Sequence, residues 1–158
     1  MQREIIGFRQ DDVGDWVAEL ECFHRQHVRH RPPLMPRPWV DTATGRAEHI
    51  GTTLDCPLCD GAELPAGLVV ARSAGPFDES TLPAGLRRNH RVADGTWGML
   101  RVLTGCVRFT MKTESPTERD LYAGDQQAIP PGVLHAVALT AGSVEVDFLV
   151  PHSAGAND

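Results

Sequence analysis

The stretch Gly124-Asp125-Gln126-Gln127-Ala128-Ile129-Pro130-Pro131-Gly132-Val133-Leu134-His135 decides the fold of this chain. A Gly-Asp turn leads into a short apolar strand, and Pro130, Pro131 and Gly132 break it. His135 then opens an alternating apolar run through Val137 and Leu139. A turn between two strands, with a His at the start of the second, aims an imidazole into a barrel or sandwich.

The flanking sequence extends this reading. Residues 98–103 and 106–111 read as two strands around a turn at Thr104-Gly105, and residues 113–120 as a polar loop. Residues 68–71, 128–129, 136–139 and 144–150 supply further strands. A Gly- and Pro-rich loop is expected from 75 to 85, and a disordered polar tail from Ser153. This half is therefore expected to be all-β, a small barrel or jelly roll. Composition turns small and flexible over 60–65, which suggests two domains, 1–62 and 63–158. Residues 4–9 and 16–20 read as a hairpin around Asp11-Asp12-Val13-Gly14-Asp15. Four prolines between positions 32 and 38 exclude a helix there. Trp39-Val40 reads as a short strand and 46–50 as one helical turn. The fold class is mainly β throughout.

Composition excludes several functions. The chain has 158 residues, 23% of them charged, with a net charge of -6. Seven Arg oppose ten Asp/Glu through Gly61, and eight Lys/Arg oppose eleven Asp/Glu after it, so neither half is a basic nucleic-acid module. No apolar run approaches the ~20 residues of a membrane span. The N-terminus lacks the apolar segment of a signal peptide, so a cytoplasmic location is expected. There the four Cys are expected to be thiols or metal ligands rather than disulfides.

Cys22, His24, Cys56 and Cys59 form the first candidate site. Cys56-Pro57-Leu58-Cys59 is a knuckle whose two intervening residues let both sulfurs reach one ion from a tight turn. Cys22 and His24, two apart at a strand end, face the same side in extended backbone. Together they make a Cys3His set, the closed count of a structural zinc site. A domain of ~60 residues has little core, so a metal staple suits it. The competing reading is a redox Cys pair, but such a pair normally precedes a helix in an α/β unit, and none is visible. His27 and His30 are reserve ligands, read first as surface residues.

This half resembles the bacterial family DUF3565. The resemblance rests on Ile6-Gly7-Phe8, Asp15-Trp16-Val17-Ala18, the stretch from Cys22 to His30, Arg37-Pro38-Trp39, Gly45-Arg46 and Cys56-x-x-Cys59. It implies no established activity.

The opening stretch also resembles the second cupin motif, with Gly124, Pro130, Gly132 and His135 at its fixed positions and Leu139 where Asn is usual. The segment from Leu82 to Pro151 resembles the cupin subfamily DUF1971. That subfamily occurs alone in small YeaR-like proteins and at the N-terminus of some tellurite-resistance methyltransferases (TehB). The matching residues are Leu82-Pro83-Ala84-Gly85-Leu86, Asn89-His90, Gly95-Thr96-Trp97-Gly98, the run from Leu100 to Phe109, Gly124 to His135, and Val146-Asp147-Phe148. The resemblance implies a cupin-like fold and a metal at His90 and His135. The first motif is degraded: Val92 and Gly98 stand where a second His and a Glu are usual. Asp147 would complete a set of two His and one carboxylate, which suits Fe, Mn or Zn with open positions. The alternative is a metal-free pocket. Arg88, Trp97 and Glu145 are candidate ligand-binding residues, with Trp97 also read as a wall or core residue. Arg88 offers selection of an anion. Cys106 reads as a small buried hydrophobe.

Two functions follow as expectations. One is a metal-binding protein with a small-molecule pocket, acting in an oxyanion (tellurite-type) or oxidative stress response. The other is a metal-dependent cupin enzyme of oxygenase or isomerase type using His90, His135 and Asp147. Expected partners are a small molecule or oxyanion and a second copy of the chain, with no nucleic acid and no membrane. These residues carry no sign of a methyltransferase segment, so no methyl-transfer role is expected.

Overall fold

A computed structural model of the chain describes residues 1–152; the tail expected to be disordered lies outside the described residues. The backbone separates into two compact units, the first Met1–Gly61 and the second starting at Ala62.

The first unit is a four-stranded antiparallel sheet. Its strands are β1 (Gln2–Gln10), β2 (Trp16–Leu20), β3 (Arg25–His27) and β4 (Thr53–Asp55), in the order β3-β2-β1-β4. The β1–β2 hairpin forms because Asp11 closes the turn, its carboxylate accepting from the Val13 and Asp15 backbone N–H groups. Ile5, Val17, Ala18, Leu20, Val28 and Val40 are buried and form the small core. Between β3 and β4 lie a 3-10 turn (Pro38–Asp41) and helix α1 (Ala43–Glu48), whose N-cap Thr42 accepts from Gly45 N–H. The 3-10 turn replaces the strand expected at Trp39-Val40, because Pro38 sets a helical φ at its start. Trp39 stacks on His49, with centroids 3.8 Å apart, and Phe8 meets its edge.

The second unit is a six-stranded antiparallel sheet built on two long strands. These are β7 (Trp97–Met111) and β10 (Leu134–Pro151). β5 (Leu68–Phe77) flanks β10, and β8 (Thr117–Tyr122) flanks β7. Short β6 (His90–Arg91) pairs with β10 and short β9 (Gln126–Ile129) with β7. The mainly β class expected from the sequence is present in both units. The expected turn at Thr104-Gly105 is not. There β7 continues through a bend opposite Gly142 of β10, and the pairing shifts register on both sides of it. Gly105 and Gly142 both have positive φ, and a Cβ on either would overlap a backbone carbonyl, that of Ala141 or Thr104. Two glycines facing each other across the ladder therefore let the paired strands fold over together, where a turn would have separated them. The expected loop at 113–120 also gives way to β8 from Thr117. That edge strand buries only Leu121, so it lacks an apolar alternation. Among the described residues no helix is long and apolar enough to cross a membrane.

Candidate metal centre and apolar pocket

Topology brings the two Cys knuckles together. β2 and β4 both run antiparallel to β1, one on each side of it. Their C-terminal ends therefore lie together beside the start of β1. Cys22 and His24 sit in the turn that leaves β2. There Leu20 N–H donates to His24 O, Phe23 N–H donates to Leu20 O, and Phe23 takes φ 70. The shared direction of Cys22 and His24 comes from this tight left-handed turn, not from the extended backbone the spacing suggested. Cys56 follows β4 directly and N-caps the short helix α2 (Pro57–Asp60), with Cys59 N–H donating to Cys56 O.

His24 Nδ1 lies 3.5 Å from Cys22 Sγ, 3.4 Å from Cys56 Sγ and 3.6 Å from Cys59 Sγ. Cys22 Sγ and Cys56 Sγ are 3.9 Å apart, and all four ligand atoms lie within 4.8 Å of one another. A tetrahedral zinc with sulfur at about 2.3 Å and nitrogen at about 2.0 Å separates sulfur from nitrogen by about 3.5 Å and sulfur from sulfur by about 3.8 Å. The observed distances are those tetrahedral edges, so the donor set fits a metal ion. All four side chains are buried, and the cysteines are free thiols. A hydrogen bond with Cys59 holds the Cys22 thiol down to about 5. The same bond pushes Cys59 above the ordinary thiol range, and burial pushes Cys56 up. Three sulfurs thus share one easily formed negative charge, and a bound cation is what lets the other two ionise.

Arg3 stands beside this cluster and was not legible as part of it. It occupies β1 opposite Leu54, two residues from Cys56, and is 8% exposed. Its positive charge acts on Cys59 to favour the thiolate. Its Nε is buried without a hydrogen-bond partner. The inward alternation Arg3, Ile5 was the available signal. His27 and His30 stay outside the cluster: His27 Nε2 is 2.8 Å from Asp11, and His30 Nδ1 accepts from Arg37 N–H.

The second unit forms a partly open apolar cavity of about 290 Å³, with walls that include Phe77, Leu86, Ile129, Val146 and Phe148. His90 and His135 both line it, with ring centroids 5.3 Å apart and planes at 89°. β6 and β10 pair these two residues directly. His135 is 1% exposed and lies against Phe109, and its Nδ1 is 3.1 Å from Val133 O. Since a carbonyl only accepts, Nδ1 carries the proton. Burial lowers the His135 pKa, so the ring is neutral and Nε2 keeps its lone pair.

Asp147 does not join them. Residues alternate along β10, so Val146 and Phe148 face the cavity and Asp147 faces the other way. Asp147 accepts from Ser73 Oγ at 2.6 Å and from Arg101 at 3.2 Å. The expected set of two His and one carboxylate therefore does not assemble. Among the described residues the Cys/His cluster of the first unit is the only group placed to hold an ion. The three expected ligand-binding residues also lie elsewhere. Glu145 pairs with Arg101 at 2.9 Å on the Asp147 face, Trp97 is fully buried outside the cavity lining, and Arg88 is exposed. Cys106 is half-buried on β7. The apolar walls were the missed residues, and the alternation Val144, Val146, Phe148 was their signal.

Comparison with known proteins follows the same division. Residues 6–63 match the family described as Protein of unknown function (DUF3565). Residues 72–148 match a family described as TehB-like domain, in place of the DUF1971 name expected above. No curated protein matches the chain. A crystal structure of a protein from E. coli (strain K12) is 22% identical, with 56% of this chain and 96% of that one covered at a TM-score of 0.51. TehB from Haemophilus influenzae is also 22% identical, at a TM-score of 0.50 over 54% of this chain. The match spans about a third of TehB, 32% of its length. These likenesses concern the fold.

Proposed function

We propose that this chain, a DUF3565 segment followed by a TehB-like domain, is a metal-stapled binding protein with a cupin-like pocket domain. Zinc held by Cys22, His24, Cys56 and Cys59 supplies the folding energy that a small sheet with few core residues lacks. The carrying observation is the set of tetrahedral-edge distances around His24 Nδ1. A closed Cys3His set leaves no position for substrate, so this metal is structural. Zinc K-edge absorption on the purified protein tests the reading: a shell of three sulfurs and one nitrogen is expected, and an oxygen-rich shell would overturn it.

The pocket of the second unit binds a small molecule without a metal. Two imidazoles in an apolar cavity are too few donors to offset the desolvation of a divalent ion. The enzyme reading that used Asp147 as third ligand thus loses its site. An oxyanion is equally ill matched, because the walls are apolar and Arg88 lies outside them. A stress role remains compatible with the pocket only through a different ligand. We also assign the exposed edge strand β5 to self-association. Val69 and Val70 are 39% and 52% exposed on an edge of ten residues, a surface that natural sheets usually cover.

A further inference from the structure

The cavity geometry assigns a ligand class. We propose that the pocket of the second unit takes a small, largely apolar molecule, of about two fused rings, carrying one hydroxyl-type donor that bonds to His135 Nε2. This rests on the reading of the cavity as a small-molecule pocket and specifies its occupant.

Size comes first. An engineered apolar cavity of about 150 Å³ holds benzene. At about 290 Å³ this one has room for a two-ring molecule. The walls admit only an apolar body, since His90 and His135 are the only residues with polar side chains that line the cavity. The polar handle follows from the imidazole of His135. Its Nδ1 proton is committed to the Val133 carbonyl, so Nε2 is left as an acceptor. Among the described residues no hydrogen bond reaches that nitrogen. The ring is held in place by Phe109 at a centroid distance of 5.8 Å and an interplanar angle of 24°, and by the perpendicular ring of His90. A fixed acceptor on a residue that lines an apolar cavity favours a ligand that brings a donor, because a ligand without one leaves the nitrogen dry. A neutral hydroxyl fits better than an anion, which would face the lone pair and the apolar walls together. Phe148 closes one side, with the Arg72 guanidinium 3.7 Å from its ring centroid.

The test uses 2-naphthol and naphthalene as probes against the full chain, each titrated by fluorescence, in buffer with and without added Mn2+ and Zn2+. Both are expected to bind, independently of metal. In a His135→Phe variant naphthalene affinity is measured as the reference for any change in the cavity itself. The ratio of 2-naphthol to naphthalene affinity is expected to fall about tenfold, equivalent to ~1.4 kcal/mol. As a second readout on the unmodified chain, the pyridine-type 15N signal of His135 is expected to move with 2-naphthol and to stay with naphthalene. An unchanged ratio together with an unmoved 15N signal would refute the hydroxyl assignment while leaving the pocket in place. Failure of both probes to bind would refute the pocket reading itself. Binding that requires the added metal would overturn both.

Discussion

Replacing Cys59 by Ser tests how the first unit is held. Cys59 is fully buried, and its sulfur lies 3.6 Å from His24 Nδ1. Serine keeps the size within one atom but offers a hydroxyl in place of a soft thiolate. Structural zinc binding carries about 10–16 kcal/mol in small folded sites. Shared over four ligands, that is about 2.5–4 kcal/mol each, so losing one sulfur weakens metal binding by roughly 60- to 700-fold. The assay is a competition titration with a chromophoric chelator. Cobalt is used beside zinc, because its visible spectrum reports the number of thiolates. Cys106→Ser in the second unit is the control, since that thiol is half-buried and far from any cluster in sequence. If Cys59→Ser keeps the unmodified affinity, or if Cys106→Ser loses as much, the four-ligand assignment is wrong.

Other outcomes follow from the same physics. Arg3→Met removes the cation that favours the Cys59 thiolate, so metal affinity is expected to fall about 10- to 100-fold, as for other outer-shell changes, in the same titration. Because burial lowers the His135 pKa, folding is disfavoured once the unfolded chain protonates. The contribution is complete above the ordinary His range near ~6.5 and is lost as pH falls toward the lower folded value. Thermal melts from pH 8 to 5 should show this loss, and His135→Phe should flatten it. Gly142→Val forces a branched side chain onto the Thr104 carbonyl at positive φ, and a destabilisation of at least ~1–3 kcal/mol is expected in urea unfolding of the second unit. Light scattering is expected to give a dimer, and Val70→Lys on the β5 edge to shift it to monomer; a monomer from the start would refute the edge assignment.

How much of this was legible depended on the kind of signal. The Cys-x-x-Cys spacing pointed to a knuckle because the chemistry of a tight turn is local, and the Pro130-Pro131-Gly132 break correctly placed His135 at a strand start. The geometry joining Cys22 and His24 was misread, since a residue at positive φ such as Phe23 carries no sequence mark when it is not glycine. The bend at Gly105 was invisible for a different reason. One glycine reads as a turn, and only its pairing with Gly142, fixed by long-range register, makes it a kink. Asp147 was assigned by residue type against the alternation of Val146 and Phe148. The alternation prevailed because the cavity is filled by apolar burial, not by ligand chemistry. The polar edge strand β8 was hidden by its exposure.

The most direct measurement is elemental analysis by mass spectrometry on untagged, as-purified protein, beside a Cys56→Ser/Cys59→Ser variant. One zinc per chain in the unmodified protein and none in the variant is the result predicted here. A metal that persists in the variant would place an ion outside the cluster, and no metal in either would contradict the stapled first unit.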